Sequence, residues 1–264
     1  MRNINRKMAF VLASSNHGTM IVNRFDHHTT GPGASIGVGH QIFDQSAYDP
    51  LEIELAITLL EFRRQYFGDG VMAIDCGANI GVHTVEWARA MHGWGSVVAI
   101  EAQERIFYAL AGNIAINNCF NAIALNAAVA AEPGTLRIPS PDYLQPGSFG
   151  SLELKQGPQT EFIGQSIDYS ESATVPTRSI SIDAMGLTRV DFIKLDIEGM
   201  ELEAIEGSAK TLTTQRPILL VEAIKVSRDQ LRARLGQFDY KIIEAGMNIV
   251  AIHKDDQTAT NITR

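Results

Sequence analysis

Asp75, Gly77, Asn79 and Gly81 sit at every second position in VMAIDCGANIGVHTVEW, between a short apolar run and a helical pattern. An acid at a strand end followed by glycines four apart makes a turn suited to a nucleotide-like ligand. A pyrophosphate-binding turn needs Gly-x-Gly-x-x-Gly, and Asn79 stands where its middle glycine would be. Glu101, Ala102 and Gln103 close the next apolar run, twenty residues after Gly81. A carboxylate there accepts both vicinal hydroxyls of a ribose. These residues suit a ligand with a ribose and a zwitterionic end but no phosphate, as in S-adenosylmethionine. Asp75 can meet the cationic end, Gly77 permits close backbone approach, and Asn79 can bond the ligand carboxylate or the backbone. Gln103 and Arg105 are placed to border the adenine.

A second constellation lies further along. Asp196 and Glu198 occur in FIKLDIEGMELEAIEG, and Glu222 ends PILLVEA. Residues two apart on an extended strand share a face, so Asp196 and Glu198 are expected together, with Ile197 pointing away. An alcohol is a poor nucleophile until a base takes its proton, and crowded carboxylates raise one another's pKa toward that task. The expected roles are Asp196 orienting cofactor or acceptor, and Glu198 or Glu222 accepting the proton. His83, at the start of the first sheet helix, is a competing base. No metal ligands are assigned, although the same hard oxygen ligands would suit Mg²⁺ in a catechol-type alternative. Glu198 and Glu201 can also simply favour the positive end of the following helix. Lys194 alternates with these acids and is given no chemistry.

The elements that must position these groups follow from periodicity. PLEIELAITLLEFRRQYF reads as a helix, with Pro50 at its first turn, Gly68 at its stop, and an apolar face of Leu51, Leu55, Leu59 and Phe62 that also includes Thr58. After Gly70, apolar runs at 71–75, 96–102, 122–130, 190–197 and 217–223 alternate with helical patterns, among them 81–92, 104–117 and one continuous helix from ELEAIEGSAKTL. Nearly continuous apolar strands are buried on both faces, which gives a doubly wound α/β sheet. YKIIEAGMNIVAIHKD supplies two β runs joined by Gly246-Met247-Asn248, too short for a crossover helix, so they are antiparallel. The expected fold class is Rossmann-like: a mainly parallel, seven-stranded sheet ending in that hairpin, as in class I methyltransferases. MAFVLASSNHGTMIVNRF reads as a further hairpin turning at Asn16-His17-Gly18, within an N-terminal hairpin and connector over 1–48. Residues 49–264 form the main domain.

DCGANIGVHT, AIEAQ, PTRSISIDAM, FIKLDIEGMELEAIEG and ILLVEA together resemble the FkbM methyltransferase family, over about Ala47 to Lys254. The resemblance implies S-adenosylmethionine-dependent methyl transfer, usually to a hydroxyl of a polyketide-like compound or a sugar. It implies cofactor-facing roles for Asp75, Gly77, Asn79, Gly81 and Glu101, and a signature role for Asp196, Glu198 and Gly199. His83 departs from the family, where Tyr or another bulky residue is common. The N-terminal hairpin lies outside the resemblance.

Composition narrows the partners. The 264 residues carry a formal charge of −8 with no dense basic stripe, so a nucleic-acid substrate is not expected. The AspIleGluGly run also differs from the Asn/Asp-Pro-Pro-aromatic run of base methylases. Cys76 and Cys119 are not spaced as a metal knuckle or redox pair, and read as buried thiols in a reducing compartment. Adjacent His27 and His28 point to opposite faces and make no metal site. The apolar stretch after the basic N-terminus is six residues, short of the roughly 7–15 of a secretory signal, and no run reaches the roughly 18 of a membrane span. The expectation is a cytoplasmic enzyme acting on a small-molecule or glycan acceptor, with homo-oligomerisation left open. Residues 139–175, rich in Gly, Ser and Pro, read as a substrate lid with Tyr143, Phe149 and Ser151 as contacts. The connector at His27–His40 would form the opposite wall. A catalytically silent cofactor-binding protein is the alternative from another class.

Overall fold

The structure, a computed structural model, describes residues 7–158 and 160–259; the basic residues 1–6 of the leader reading lie outside it. Strands β1 (Phe10–Ser15) and β2 (Gly18–Asn23) form the expected hairpin about Asn16-His17. A second small hairpin, β3 (His28–Gly31) and β4 (Ala34–Ile36), occupies the connector and leads to α1 (Val38–Gln45) and α2 (Pro50–Phe67). Alternation then begins: β5 (Val71–Cys76), α3 (Val82–Ala90), β6 (Gly95–Glu101), α4 (Glu104–Ile116) and β7 (Ala122–Asn126). The run at 122–130 splits after Asn126, and β8 (Ala128–Val129) joins β9 (Gly134–Pro139) and β10 (Thr174–Ile180) in a separate small sheet. The main sheet resumes with β11 (Phe192–Leu195), followed by α5 (Glu201–Glu206), α6 (Ala209–Thr214), β12 (Ile218–Glu222), α7 (Arg228–Gly236), β13 (Tyr240–Ala245) and β14 (Asn248–His253).

The main sheet has seven strands in the order β13-β14-β12-β11-β5-β6-β7. β5, β6, β7, β11 and β12 pair in parallel, while β14 runs antiparallel to both β12 and β13. Chain order reverses at β5, between β6 on one side and β11 on the other. A ligand crevice forms beyond the carboxyl ends at such a switch point.

Alternation along each strand divides the core in two. Ala73, Val97, Phe192 and Ile218 pack with Leu59, Leu60 and Trp87 on the α2–α3 face. Their neighbours Ile74, Val98, Ile193 and Leu219 pack with Ala204 and Leu231 on the α5–α7 face. Burial on both faces is the reason the strands read as continuous apolar runs.

Two local expectations are corrected. The buried face of α2 is Ile53, Ala56, Leu59, Leu60 and Arg63, whereas Leu51 is 80% exposed. An arginine belongs to that face because its guanidinium is paired with buried Asp191 and Asp256. The helix expected from ELEAIEGSAKTL breaks at Gly207-Ser208 into α5 and α6. There the backbone presses against the 130–131 segment: a Cβ on Gly207 would lie 2.3 Å from the Ala130 carbonyl oxygen.

Candidate active site

A cavity of about 330 Å³ opens beyond the carboxyl ends of β5, β6, β11 and β12. One half is built on the β5–α3 turn and the end of β6. Gly77, Asn79 and Gly81 all have left-handed backbone, with φ of 77°, 50° and 87°. At Gly77 the reason is packing: a Cβ there would lie 1.7 Å from the Asp196 carbonyl oxygen, so the turn is pressed onto the segment following β11. The close approach expected toward a ligand is thus also an approach to the chain itself. Asn79 suits the left-handed region, and its Oδ1 accepts the Ile80 N–H at 2.7 Å. Of the two bonds anticipated for Asn79, the backbone one is made.

Glu101 is organised by main chain. The Asn79 N–H donates to its Oε2 at 3.0 Å and the Gln103 N–H to its Oε1 at 2.8 Å. Burial pushes its carboxyl up to about 7 against the pull of those N–H groups. Each oxygen keeps lone-pair capacity for a further donor, as a vicinal diol requires. Gln103 donates from Nε2 to the Phe149 carbonyl at 2.8 Å and accepts the Tyr143 hydroxyl at 3.0 Å. Asp75 accepts the Thr84 hydroxyl on Oδ2 at 2.6 Å, while its buried Oδ1 has no partner. A Glu101 with spare acceptor capacity fits a ligand with a ribose, while the orphan Oδ1 of Asp75 is buried behind the turn, outside the cavity lining.

The other half is lined by side chains of mixed charge. Asp196, Glu198 and Glu222 each place a carboxylate oxygen within 4.8 Å of the other two. The strand-alternation reasoning does not account for this, because β11 ends at Leu195. Glu198 lies instead in a turn with left-handed φ of 56°, which brings it back beside Asp196. Buried Lys194 donates to Asp196 Oδ2 at 2.6 Å and lies 3.9 Å from Glu52. Lys225 is ion-paired with Glu198, lies 3.1 Å from Glu161, and donates to the Ser151 carbonyl at 2.8 Å. Glu222 has no side-chain hydrogen bond or ion pair among the described residues. Burial first, and then the Asp196 charge, push both the Glu198 and Glu222 carboxyls up.

His83 lines the cavity with Nε2 3.1 Å from Glu52 Oε1. Burial raises Glu52, but the adjacent imidazole and the Lys194 ammonium outweigh it and hold the carboxyl down at about 2. Glu201 accepts the N–H groups of Ile197 at 3.1 Å and Gly199 at 3.3 Å, which fixes the turn carrying Glu198. It braces the turn before α5 and makes no cap bond to the helix, whereas Glu198 takes Lys225.

The structure thus brings Gly77, Asn79, Glu101, Ala102, Gln103, His83, Asp196, Glu198 and Glu222 to one cavity. Asp75 and Gly81 shape the turn without lining it, and exposed Arg105 stays away from it over the Tyr108 ring. From 139–175, Ser151 lines the cavity as expected, whereas Tyr143 and Phe149 do not. Phe149 is fully buried in a core shared with the N-terminal hairpin. The connector contributes Ile36, Val38 and Gln41 to the wall. His27 lies outside the cavity lining, and the His28 ring sits edge-on to Phe162 at 5.4 Å. Cys76 and Cys119 are buried free thiols.

Sequence reasoning missed Tyr48, Asp49, Glu52, Lys194, Lys225 and Asn248, all of which line the cavity. Lys194 carried the one available signal, a lysine inside an otherwise apolar strand. The others come from the start of α2, the loops beside it and after β12, and the first residue of β14, all distant in sequence.

A switch-point crevice beyond a mainly parallel seven-stranded sheet that ends in an antiparallel hairpin is the fold of a class I methyltransferase. The methyltransferase FkbM domain profile matches residues 75–245, and the chain belongs to that family. Its cofactor is S-adenosyl-L-methionine. Among solved structures, the methyltransferase FkbM from Methylobacillus flagellatus KT is 18% identical with TM-score 0.50, covering 73% of this chain and 48% of that one. Monomeric WbdD is 13% identical with TM-score 0.50, covering 83% and 44%. The chain therefore spans about half the length of each. The O-methyltransferase from Bacillus cereus, solved with SAH, is 14% identical with TM-score 0.44, covering 79% and 83%. No curated protein matches the chain. No helix among the described residues is long and apolar enough to cross a membrane.

Proposed function

We propose that this methyltransferase methylates a hydroxyl oxygen of a small molecule or sugar, in the cytoplasm, with residues 49–264 as the catalytic unit and 139–175 as its lid. The observation that carries this reading is Glu222, a cavity-lining carboxyl that neither lysine serves. When bound, S-adenosylmethionine supplies an electrophilic methyl group on a sulfonium sulfur. Glu101 would accept the ribose hydroxyls, Ala102 and Gln103 would border the base, and Asp75, buried behind the turn, would act on the cationic end only across that turn. Gly77, Asn79 and Gly81 hold the turn that presents these groups.

On the acceptor side, Glu222 takes the hydroxyl proton. Its raised pKa makes it a stronger base than an ordinary carboxylate once ionised. Asp196, held by Lys194, orients the acceptor, and Glu198 shares the proton load with Glu222. His83 is committed to Glu52 and positions that wall. The test is to incubate the protein with radiolabelled donor and a panel of hydroxylated, aminated and carbon-acid acceptors. A methyl ether product that Glu222→Gln abolishes is expected; an N- or C-methyl product overturns O-methylation. No labelled product across the panel favours a silent cofactor-binding protein.

A second reading places a divalent ion on Asp196, Glu198 and Glu222, whose oxygens are close enough for one. Two ammonium groups already pair with two of the three, so an ion would have to displace both. Activity that survives exhaustive chelation removes this reading.

A further inference from the structure

One end of S-adenosylmethionine is a zwitterion, with a carboxylate and an ammonium on the same carbon, and that carboxylate needs donors. The β5–α3 turn does not supply them from its backbone. Its N–H groups from Gly77 to Gly81 are spent inside the chain. Gly77 and Ala78 donate to the Ile100 carbonyl at 3.0 Å, Asn79 to Glu101, Ile80 to the Asn79 side chain, and Gly81 to the Ala78 carbonyl at 2.8 Å. Among the described residues, two lysines and no arginine line the cavity. Lys225 is surrounded by acceptors: it is ion-paired with Glu198, lies 3.1 Å from Glu161 and 3.8 Å from Glu153, and donates to the Ser151 carbonyl at 2.8 Å.

Lys194 is differently placed. It is 4% exposed, and an ammonium has three N–H groups to satisfy. Among the described residues it makes one hydrogen bond, to Asp196 Oδ2 at 2.6 Å; Glu52, at 3.9 Å, is beyond hydrogen-bond range. Burial works against its charge, but the Asp196, Glu52 and Asp75 carboxylates outweigh it and hold the ammonium above the usual lysine value. A buried cation with two N–H groups unspent calls for an acceptor. Its place in the sheet points to the cofactor. Lys194 pairs with Asp75 on β5, the strand that leads into the cofactor turn, and Gly77 of that turn is pressed onto the Asp196 carbonyl. Glu101, the carboxylate suited to the ribose, ends β6 on the other side of β5. A cofactor whose ribose sits at Glu101 and whose chain crosses β5 brings its amino-acid end to β11, where Lys194 stands.

We propose that Lys194 is the charged anchor for the carboxylate at the amino-acid end of S-adenosylmethionine. Its two unspent N–H groups donate to that carboxylate while the third stays on Asp196. The ammonium on the same carbon of the ligand offsets the charges of Asp196 and Glu52, which would turn away a simple anion. The proposal rests on the cofactor assignment and is independent of O-methylation of the acceptor.

Calorimetry on the full chain tests this with S-adenosylhomocysteine and decarboxylated S-adenosylhomocysteine, which keeps the amine and lacks the carboxylate. The wild type is expected to bind S-adenosylhomocysteine at least about tenfold more tightly, the scale of one charge-assisted hydrogen bond. Lys194→Met should remove most of that preference by weakening S-adenosylhomocysteine alone. Its undiminished affinity for the decarboxylated ligand reports an intact site. Lys194→Gln, which keeps a donor toward Asp196 and loses the charge, is read in the same way where the methionine variant does not fold. Lys225→Met should keep the wild-type preference. Equal affinity of the wild type for the two ligands overturns the proposal without any variant. A preference kept when Lys194 is replaced hands the carboxylate to the neutral Asn79 amide and overturns it too. So does a preference lost in Lys225→Met instead. Both ligands weakened alike by Lys194→Met would make the lysine a support of the fold and not an anchor. Binding of neither ligand by the wild type brings down the cofactor assignment itself.

Discussion

At the end of β6, Glu101 receives two backbone N–H groups; at the end of β12, Glu222 receives none. Both are cavity carboxyls, and burial raises both. Yet the first is locked by a turn of fixed conformation, and the second stands beside an ion-paired cluster of lysines and acids. Backbone donors cost no side-chain entropy to hold, so the Glu101 half is preorganised for one ligand. The Glu222 half depends on long side chains from the turn after β11, the start of α2 and the segment 140–173. A common cofactor needs the first kind of site. A variable acceptor is served by the second, where single substitutions change charge without disturbing the fold.

The largest effect that separates the halves should come from the turn itself. Gly77→Ala adds a Cβ against the Asp196 carbonyl in a left-handed conformation. Strain and overpacking together should cost roughly 2–5 kcal/mol, and chemical denaturation measures that loss. Because Gly77 also touches the chain carrying Asp196, this change should damage both halves, and a variant of wild-type stability would refute the packing account. Glu222→Gln comes next, with turnover expected to fall by about 10²–10⁴-fold, as for loss of a general base. Its S-adenosylhomocysteine affinity should hold within about twofold by calorimetry. Glu101→Ala is the mirror experiment: affinity for S-adenosylhomocysteine should weaken by about 1–3 kcal/mol. If each substitution impaired both readouts alike, the division into halves would fail.

The two halves also differ in how far the sequence reveals them. Asp75, Gly77, Asn79 and Glu101 are local to one strand-turn-helix-strand unit, so spacing alone placed them together. The terminal hairpin was legible because Gly246-Met247-Asn248 leaves no room for a crossover. Asp196 and Glu198 were found, but by a strand argument that the structure replaces with a left-handed turn at Glu198. Tyr48, Asp49 and Asn248 were not found. They reach the cavity only through the packing of α2 and β14 against the sheet, which no local pattern encodes. Arg63 shows the same limit in the core. Its partners Asp191 and Asp256 are 128 and 193 residues away, so a polar residue on the buried face of α2 had no visible reason.

The smallest expected effects are pH dependences, and they too should divide by half. Glu101 is pushed up to about 7, and ribose hydroxyls would favour its ionised form. Ligand binding then lowers that pKa, so affinity for S-adenosylhomocysteine should rise as pH rises through about 7, by less than tenfold per unit. Glu101→Gln should flatten this trend and Glu222→Gln should not. On the other side, Glu222 is raised to about 9 and Glu198 to about 8, against an ordinary glutamate value of 4.5. The folded state therefore binds more protons than the unfolded one between those limits, and stability falls as pH rises through about 9. Glu222→Gln removes one such group, so its melting temperature should exceed that of the wild type by a few degrees at pH 9. At pH 4, where the glutamate is protonated in both states, the two should melt together. A gain in melting temperature that was the same at both pH values would mean that the gain does not come from the charge of Glu222, and the unpaired carboxyl that distinguishes the acceptor half would lose its meaning.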